Sequence, residues 1–119
     1  MADRTRIDVI REACLAKAGA VEDHPWDHVV FKVVGKIFAI TDTESERVTV
    51  KTTPEKKPIL EQDPAISSAP YLGSKGWVML DLTQDGVLDI FPDLMEESYA
   101  LIVQKLPKKA QKELSEWSR

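Results

Sequence analysis

The densest run of metal-ligating side chains is Glu22-Asp23-His24-Pro25-Trp26-Asp27-His28, with two imidazoles and three carboxylates in seven residues. Imidazole nitrogen and carboxylate oxygen both suit divalent ions, so the segment could ligate a metal. His24 precedes a proline, which disfavours α geometry there, so the two histidines do not meet as a helical i, i+4 pair. The stronger reading is a loop whose carboxylates and imidazoles fix backbone turns. No metal is expected. Nucleophilic chemistry has little behind it. Cys14 falls on the apolar face of a helical pattern, which points to a buried, inert thiol. Ser67, Ser68, Ser74 and Ser98 lie in no nucleophile-elbow sequence. Gly35, Gly73, Gly76 and Gly86 stand apart, so no phosphate-cradling glycine pattern exists, and Gly73-Ser74-Lys75-Gly76 is only a weak loop signal. The expectation is a protein that is not an enzyme and has no cofactor.

The basic residues carry more. Lys32 and Lys36 flank a hairpin pattern, Lys51 ends a strand pattern, Lys56 and Lys57 open a helix, and Lys75 precedes Trp77, with Tyr71 close by. Lysines at strand ends and turns beside aromatics suit contacts to phosphate and sugar. They equally suit protection of sheet edges. Lys105, Lys108, Lys109 and Lys112 form a second cluster, which reads as complementing the negative end of a helix.

These lysines sit in a chain of 119 residues with a net charge of −4, an average that argues against nucleic acid. The average hides a segregation. Residues 80–99 carry six acidic side chains and no basic one, while residues 100–119 carry five basic and two acidic. A fold that sends the Asp81–Glu97 stretch to one side could leave a positive surface on another. At 43% apolar residues the chain can build a core, and one domain over residues 1–119 is expected. The apolar runs are too short to span a bilayer. No charged start precedes an apolar stretch at the N-terminus. One cysteine excludes an intrachain disulfide and a cysteine-based zinc site. The expected setting is reducing and cytoplasmic, with no membrane partner.

Periodicity supplies the elements that position these groups. Thr5 to Lys17 reads as a helix capped by Asp3 or Thr5, with Ile7, Ile10, Cys14 and Ala18 on one face. Glu22 to His28 reads as a loop. Val29–Val34 and Ile37–Thr41 form a hairpin about Gly35-Lys36, and Glu46–Thr52 alternates as a third strand. Thr53-Pro54-Glu55 starts a helix to about Gln62. Gly76–Leu82 is a further strand. Asp89 caps the longest helix, with Pro92 in its first turn and Met95, Tyr99, Ile102, Val103 and Leu106 along its apolar arc. Pro107 ends it and starts a last helix, on which Ala110, Leu114 and Trp117 share a face. The order implies an α+β domain with helices packed on a mostly antiparallel sheet. The expected core is Ile10, Cys14, Phe31, Val33, Phe38, Ile40, Trp77, Tyr99, Ile102 and Leu106.

The motifs also form a recognisable series. Cys-Leu-x-x-x-Gly (14–19) precedes Glu-Asp-His-Pro-Trp (22–26) and Phe-Lys-Val-x-Gly-Lys-Ile-Phe-Ala (31–39). Val-Thr-Val-Lys-Thr-Thr-Pro-Glu (48–55), Ala-Pro-Tyr-Leu-Gly-x-Lys-Gly-Trp-Val (69–78), Glu-Ser-Tyr (97–99) and Lys-Leu-Pro-Lys-Lys (105–109) follow. In order and spacing this resembles the MmcQ/YjbR family of small bacterial proteins over almost the whole chain. The resemblance implies a CyaY-like fold and a double-wing DNA-binding arrangement of sheet and hairpins. It carries over to Lys36, Lys51, Lys75, Trp77, Ser98 and Tyr99. Two places depart from the pattern: Ala18, where many members have proline, and Gly73–Gly76, where many have Asn-Lys-x-His.

The function expected is DNA binding through Lys32, Lys36, Lys51, Lys56, Lys57 and Lys75, with Tyr71 and Trp77 as aromatic contacts. The alternative is a non-enzymatic protein-interaction or regulatory domain that binds no nucleic acid. An exposed apolar patch on the sheet would favour that alternative.

Overall fold

The structure is a computed structural model that describes residues 5–25, 28–42, 46–70 and 72–117. Helix α1 (Arg6–Leu15) begins where expected. The Thr5 hydroxyl accepts from the Asp8 N–H at 3.1 Å, and the Asp8 carboxylate accepts from the Thr5 N–H at 3.0 Å. This reciprocal pair satisfies two donors that a helix start otherwise leaves free. Ile7, Ile10 and Cys14 point inward from it.

Six strands follow: β1 (Ala20–Asp23), β2 (His28–Val33), β3 (Lys36–Asp42), β4 (Arg47–Lys51), β5 (Ile66–Ser68) and β6 (Trp77–Asp81). They form one sheet in the order β1-β2-β3-β4-β6-β5, with every neighbouring pair antiparallel. Helix α3 (Val87–Val103) crosses one face. The single-turn helix α2 (Lys57–Leu60) and helix α4 (Lys108–Ser115) flank the sheet. The α+β architecture with helices on an antiparallel sheet is therefore present. Two short strands depart from the loop reading. β1 takes up Glu22 and Asp23, and β5 lies between α2 and β6, where the sequence pattern predicts no strand. Both are edge strands with one buried residue each, so they carry no alternation to read.

The β2–β3 hairpin closes through Val34 and Gly35, at φ 49° and 77°. Two consecutive left-handed residues match the twist of the flanking strands. Glycine takes this conformation freely, whereas the β-branched Val34 is strained in it. Further along the hairpin the register shifts between Phe31 and Lys32, leaving Phe38 as an extra residue on β3. That bulge puts Phe38 and the next residue, Ala39, both into the core. It also turns Ile40 to the opposite face, beside Val30, Thr49 and Met79. Ile40 is thus half-buried outside the core, because a strict two-residue period does not survive a bulge. Tyr99 and Ile102 are likewise half-buried, while Ile10, Cys14, Phe31, Val33, Phe38, Trp77 and Leu106 are buried.

Two helix starts differ from expectation. α3 begins after Gly86, at φ 82°, so Asp89 lies within its first turn and Pro92 within its second. α2 is one turn long and starts after Lys56, not at Thr53; the Thr53 hydroxyl accepts from the Lys56 N–H at 3.2 Å and closes the turn that precedes the helix. Pro58 sits inside that turn and contributes no donor to extend it.

α3 is pinned to the sheet by Ser98, which is fully buried. The register of β3 with β4 stops at Ala39 opposite Val50. Where the next rung would form, the Ser98 hydroxyl donates to the Phe38 carbonyl at 2.6 Å and accepts from the Lys51 N–H at 2.9 Å. The adjacent Tyr99 hydroxyl donates to the Ala18 carbonyl at 2.6 Å, and its ring meets Phe38 edge-on at 5.3 Å. Replacing Ser98 with alanine strands a buried carbonyl and a buried N–H. A loss of about 1–3 kcal/mol in urea unfolding is expected. Wild-type stability in Ser98→Ala would show that the bridge is dispensable.

Candidate nucleic-acid interface

The antiparallel order gives the sheet two electrically different ends. β3 starts at Lys36, β4 ends at Lys51, and β6 starts at Trp77 directly after Lys75 and Gly76, so these lysines share one end. The other end carries Asp42, Arg47 and Asp81, with Asp85 and Asp89 where α3 begins. α3 spans the sheet from the acidic end to the basic end and is followed by Lys105, Lys108, Lys109 and Lys112. The Asp81 carboxyl is held below its usual range by the Thr83 hydroxyl and backbone N–H.

Not every lysine singled out in the sequence is available. Lys32 pairs with Asp23 at 2.8 Å, Lys57 with Glu61 at 2.8 Å, and Lys56 with Glu97. Glu97 also accepts from the Thr52 hydroxyl at 2.8 Å, and Lys57 reaches the Ser68 hydroxyl at 3.2 Å. No carboxylate partner is recorded among the described residues for Lys36, Lys51, Lys75 or Lys105. Trp77 is 9% exposed and packs as core. Tyr71 lies outside the described residues.

Lys51, Lys75 and Lys105 line a cleft of about 620 Å3. One wall is the β4–α2 connection, a second is the 3-10 turn Gly73–Lys75, and the third is the C-terminal end of α3. The first two walls are tied together. The Thr52 N–H donates to the Gly76 carbonyl at 2.8 Å, and a Cβ on Gly76 would stand 2.9 Å from the Thr52 carbonyl oxygen. Gly76 is also at φ 90°, so a larger residue there is both strained and obstructed. Contact with Lys105, reinforced by partial burial, pushes the Lys51 ammonium below the ordinary lysine range. Lys51 and Lys105 thus share one lining, where their like charges repel.

Glu22, Asp23 and His24 are used structurally, while Trp26 and Asp27 lie outside the described residues. Glu22 is paired with Arg11 at 2.7 Å and with His24 at 2.6 Å. The Arg11 hydrogen bond, aided by His24, holds the Glu22 carboxyl below its usual range. Asp23 binds Lys32 and the His24 N–H. Among the described residues no group of three potential ligands converges on a metal position. Burial pushes the Cys14 thiol up to about 12, which leaves negligible thiolate at neutral pH. No described helix is long and apolar enough to cross a membrane.

The sheet face opposite α3 carries a second concavity of about 560 Å3, lined by Pro25, Val30, Ile37, Ile40, Leu72 and Met79 among others. Sequence reasoning missed this groove, since the bulge that creates it has no glycine marker. It also assigned Lys105 to dipole complementation. Only the antiparallel order and the length of α3 bring Lys105 to Lys51.

A family model described as YjbR matches residues 15–101. The structure superposes on that of a Deinococcus radiodurans protein with a DUF419 domain. The TM-score is 0.80 at 29% identity, covering 95% of this chain and 92% of that one. A Pseudomonas syringae protein shares the fold, with TM-score 0.60 at 23% identity over 69% of this chain and 86% of that one. No curated protein matches the chain.

The Lys51–Lys105 contact can be tested by titration. Lys51 is depressed in the folded state, so between that depressed pKa and the unfolded one the unfolded chain binds more protons. Stability therefore rises with pH across that window. Below it Lys51 is charged in both states and the repulsion is fully felt. Lys105→Gln should move the Lys51 side-chain titration upward by NMR and raise stability at neutral pH. An unchanged Lys51 titration would contradict the contact.

Proposed function

The chain belongs to the YjbR family, and from that premise we propose that it binds DNA by the phosphate backbone through the basic end of its sheet. The carrying observation is the gathering of Lys36, Lys51, Lys75 and Lys105, without carboxylate partners among the described residues, at the end opposite Asp81, Asp85 and Asp89. Lysine ammoniums at hairpin and strand ends supply sequence-independent phosphate contacts. The net charge of −4 does not oppose this: Asp81, Asp85 and Asp89 lie at the far end, and of the acids at the lysine end Glu61 and Glu97 are taken up by Lys57 and Lys56. Trp77 is buried and unavailable for base contact, and phosphate contacts carry no sequence information directly, so affinity should depend weakly on sequence.

A second reading has one observation of its own. The apolar groove on the open sheet face favours a protein-interaction domain, since contiguous exposed apolar surface commonly marks binding sites. The groove reaches the lysine end at Ile37 and Leu72, so the mid-sheet positions Val30, Ile40 and Met79 are the ones whose mutation separates the two readings.

Duplex DNA titrated at several salt concentrations tests the first reading. A log–log slope of about −0.9 per neutralised phosphate is expected. Lys51→Gln and Lys75→Gln should each weaken binding to all sequences alike and reduce the slope by about one. Lys56→Gln, which removes an ion-paired lysine, should change it little. Absence of binding at low salt, or a slope unmoved by Lys51→Gln and Lys75→Gln, would contradict the proposal.

A further inference from the structure

The lysine cleft is more specific than a DNA-facing patch requires. A surface that only tracks duplex phosphates needs exposed cations, not a three-walled cavity. This cleft has about 620 Å3, within the range of small-molecule sites and far larger than a phosphate alone. Its charge can be counted. Lys57 and Glu61 on the lining neutralise each other at 2.8 Å. What remains is Lys51, Lys75 and Lys105 against Glu55, a net charge of about +2. A carboxylate or an internal phosphodiester brings one negative charge. A phosphomonoester brings about −1.5 to −2 at neutral pH and three acceptor oxygens, one for each ammonium. Pro54, Pro58 and Leu101 complete the walls and offer apolar contact to an organic group. Lys51 and Lys105 line the same cleft, and an anion seated between them offsets the repulsion of like charges.

We propose that the cleft between the β4–α2 connection, the Gly73–Lys75 turn and the end of α3 binds the terminal phosphate of a nucleotide-sized phosphomonoester, held by Lys51, Lys75 and Lys105. The site goes beyond DNA binding and does not depend on it. A free nucleotide and the 5′ end of a strand present the same group, so both belong in the test.

Calorimetric titration would use deoxyadenosine 5′-monophosphate, deoxyadenosine, inorganic phosphate, and single strands with and without a 5′-phosphate. The monophosphate should bind and deoxyadenosine should not. Lys51→Gln and Lys105→Gln should each lower its affinity on the order of tenfold, as expected for losing one charge-assisted hydrogen bond. Lys109→Gln, on α4 and outside the cleft, should leave it unchanged. Preference for the 5′-phosphorylated strand over its unphosphorylated twin would identify a strand end as the source, and binding of the monophosphate alone would identify the free nucleotide. No heat with the monophosphate, equal binding of deoxyadenosine, or indifference to Lys51→Gln and Lys105→Gln would overturn the proposal. Salt-dependent duplex binding could persist in that case, so failure of the cleft and failure of the DNA reading are distinguishable.

Discussion

Where β3 and β4 part after Ala39 and Val50, a single buried hydroxyl takes the place of the missing rung, with Ser98 joining the Phe38 carbonyl to the Lys51 N–H. A backbone carbonyl and N–H left unpaired in a core would cost more than a typical hydrogen bond returns. The bridge therefore fixes α3 against both strands at one height. Helix rise is constant, so the height of Ser98 also fixes where the helix ends. That end delivers Gln104 and Lys105 to the cleft beside Lys51, whose own backbone is one of the groups Ser98 holds. The position of the cations and the packing of the core are the same constraint seen from two sides.

From this constraint the electrostatics follow. The chain is acidic overall, yet each antiparallel strand places its two ends at opposite poles of the sheet. Acids at the end of β6 and the start of α3 mark one pole, while at the other Lys51, Lys75 and Lys105 outnumber Glu55 once the paired Lys57–Glu61 and Lys56–Glu97 are set aside. Several nearby lysines are cancelled at short range: Lys32 by Asp23, Lys56 by Glu97, Lys57 by Glu61. Such surface pairs contribute little stability, but they decide which cations remain for a ligand. Family membership is consistent with this arrangement and does not by itself assign a ligand.

The sequence reveals those parts of the fold that depend on local pattern. The β2–β3 hairpin, β4, β6, α1 and the long helix follow from alternation, turn residues and 3.6-residue spacing. β1 and β5 were hidden because a short edge strand buries only one residue. Ile40 was misplaced because a bulge changes face without changing composition. At the site, Lys36, Lys51 and Lys75 were visible at strand ends and turns. The pairing of Lys57 with Glu61 was within reach, being one helical turn apart, whereas that of Lys56 with Glu97 joins residues far apart in the chain. Lys105 could not be placed beside Lys51 without the sheet order. The two motif residues Ser98 and Tyr99 proved to serve packing: each spends its hydroxyl on backbone carbonyls.

The central claim is that one pole of the sheet, and not the other, meets phosphate. Amide and lysine side-chain NMR shifts recorded during titration with a short duplex at low salt address it most directly. The account predicts perturbations gathered at Lys36, Lys51, Lys75 to Trp77 and Lys105, with Asp42, Arg47, Asp81 and Asp85 unmoved. Perturbations centred on the acidic pole or on the Val30–Ile40–Met79 groove, or none at all, would contradict it.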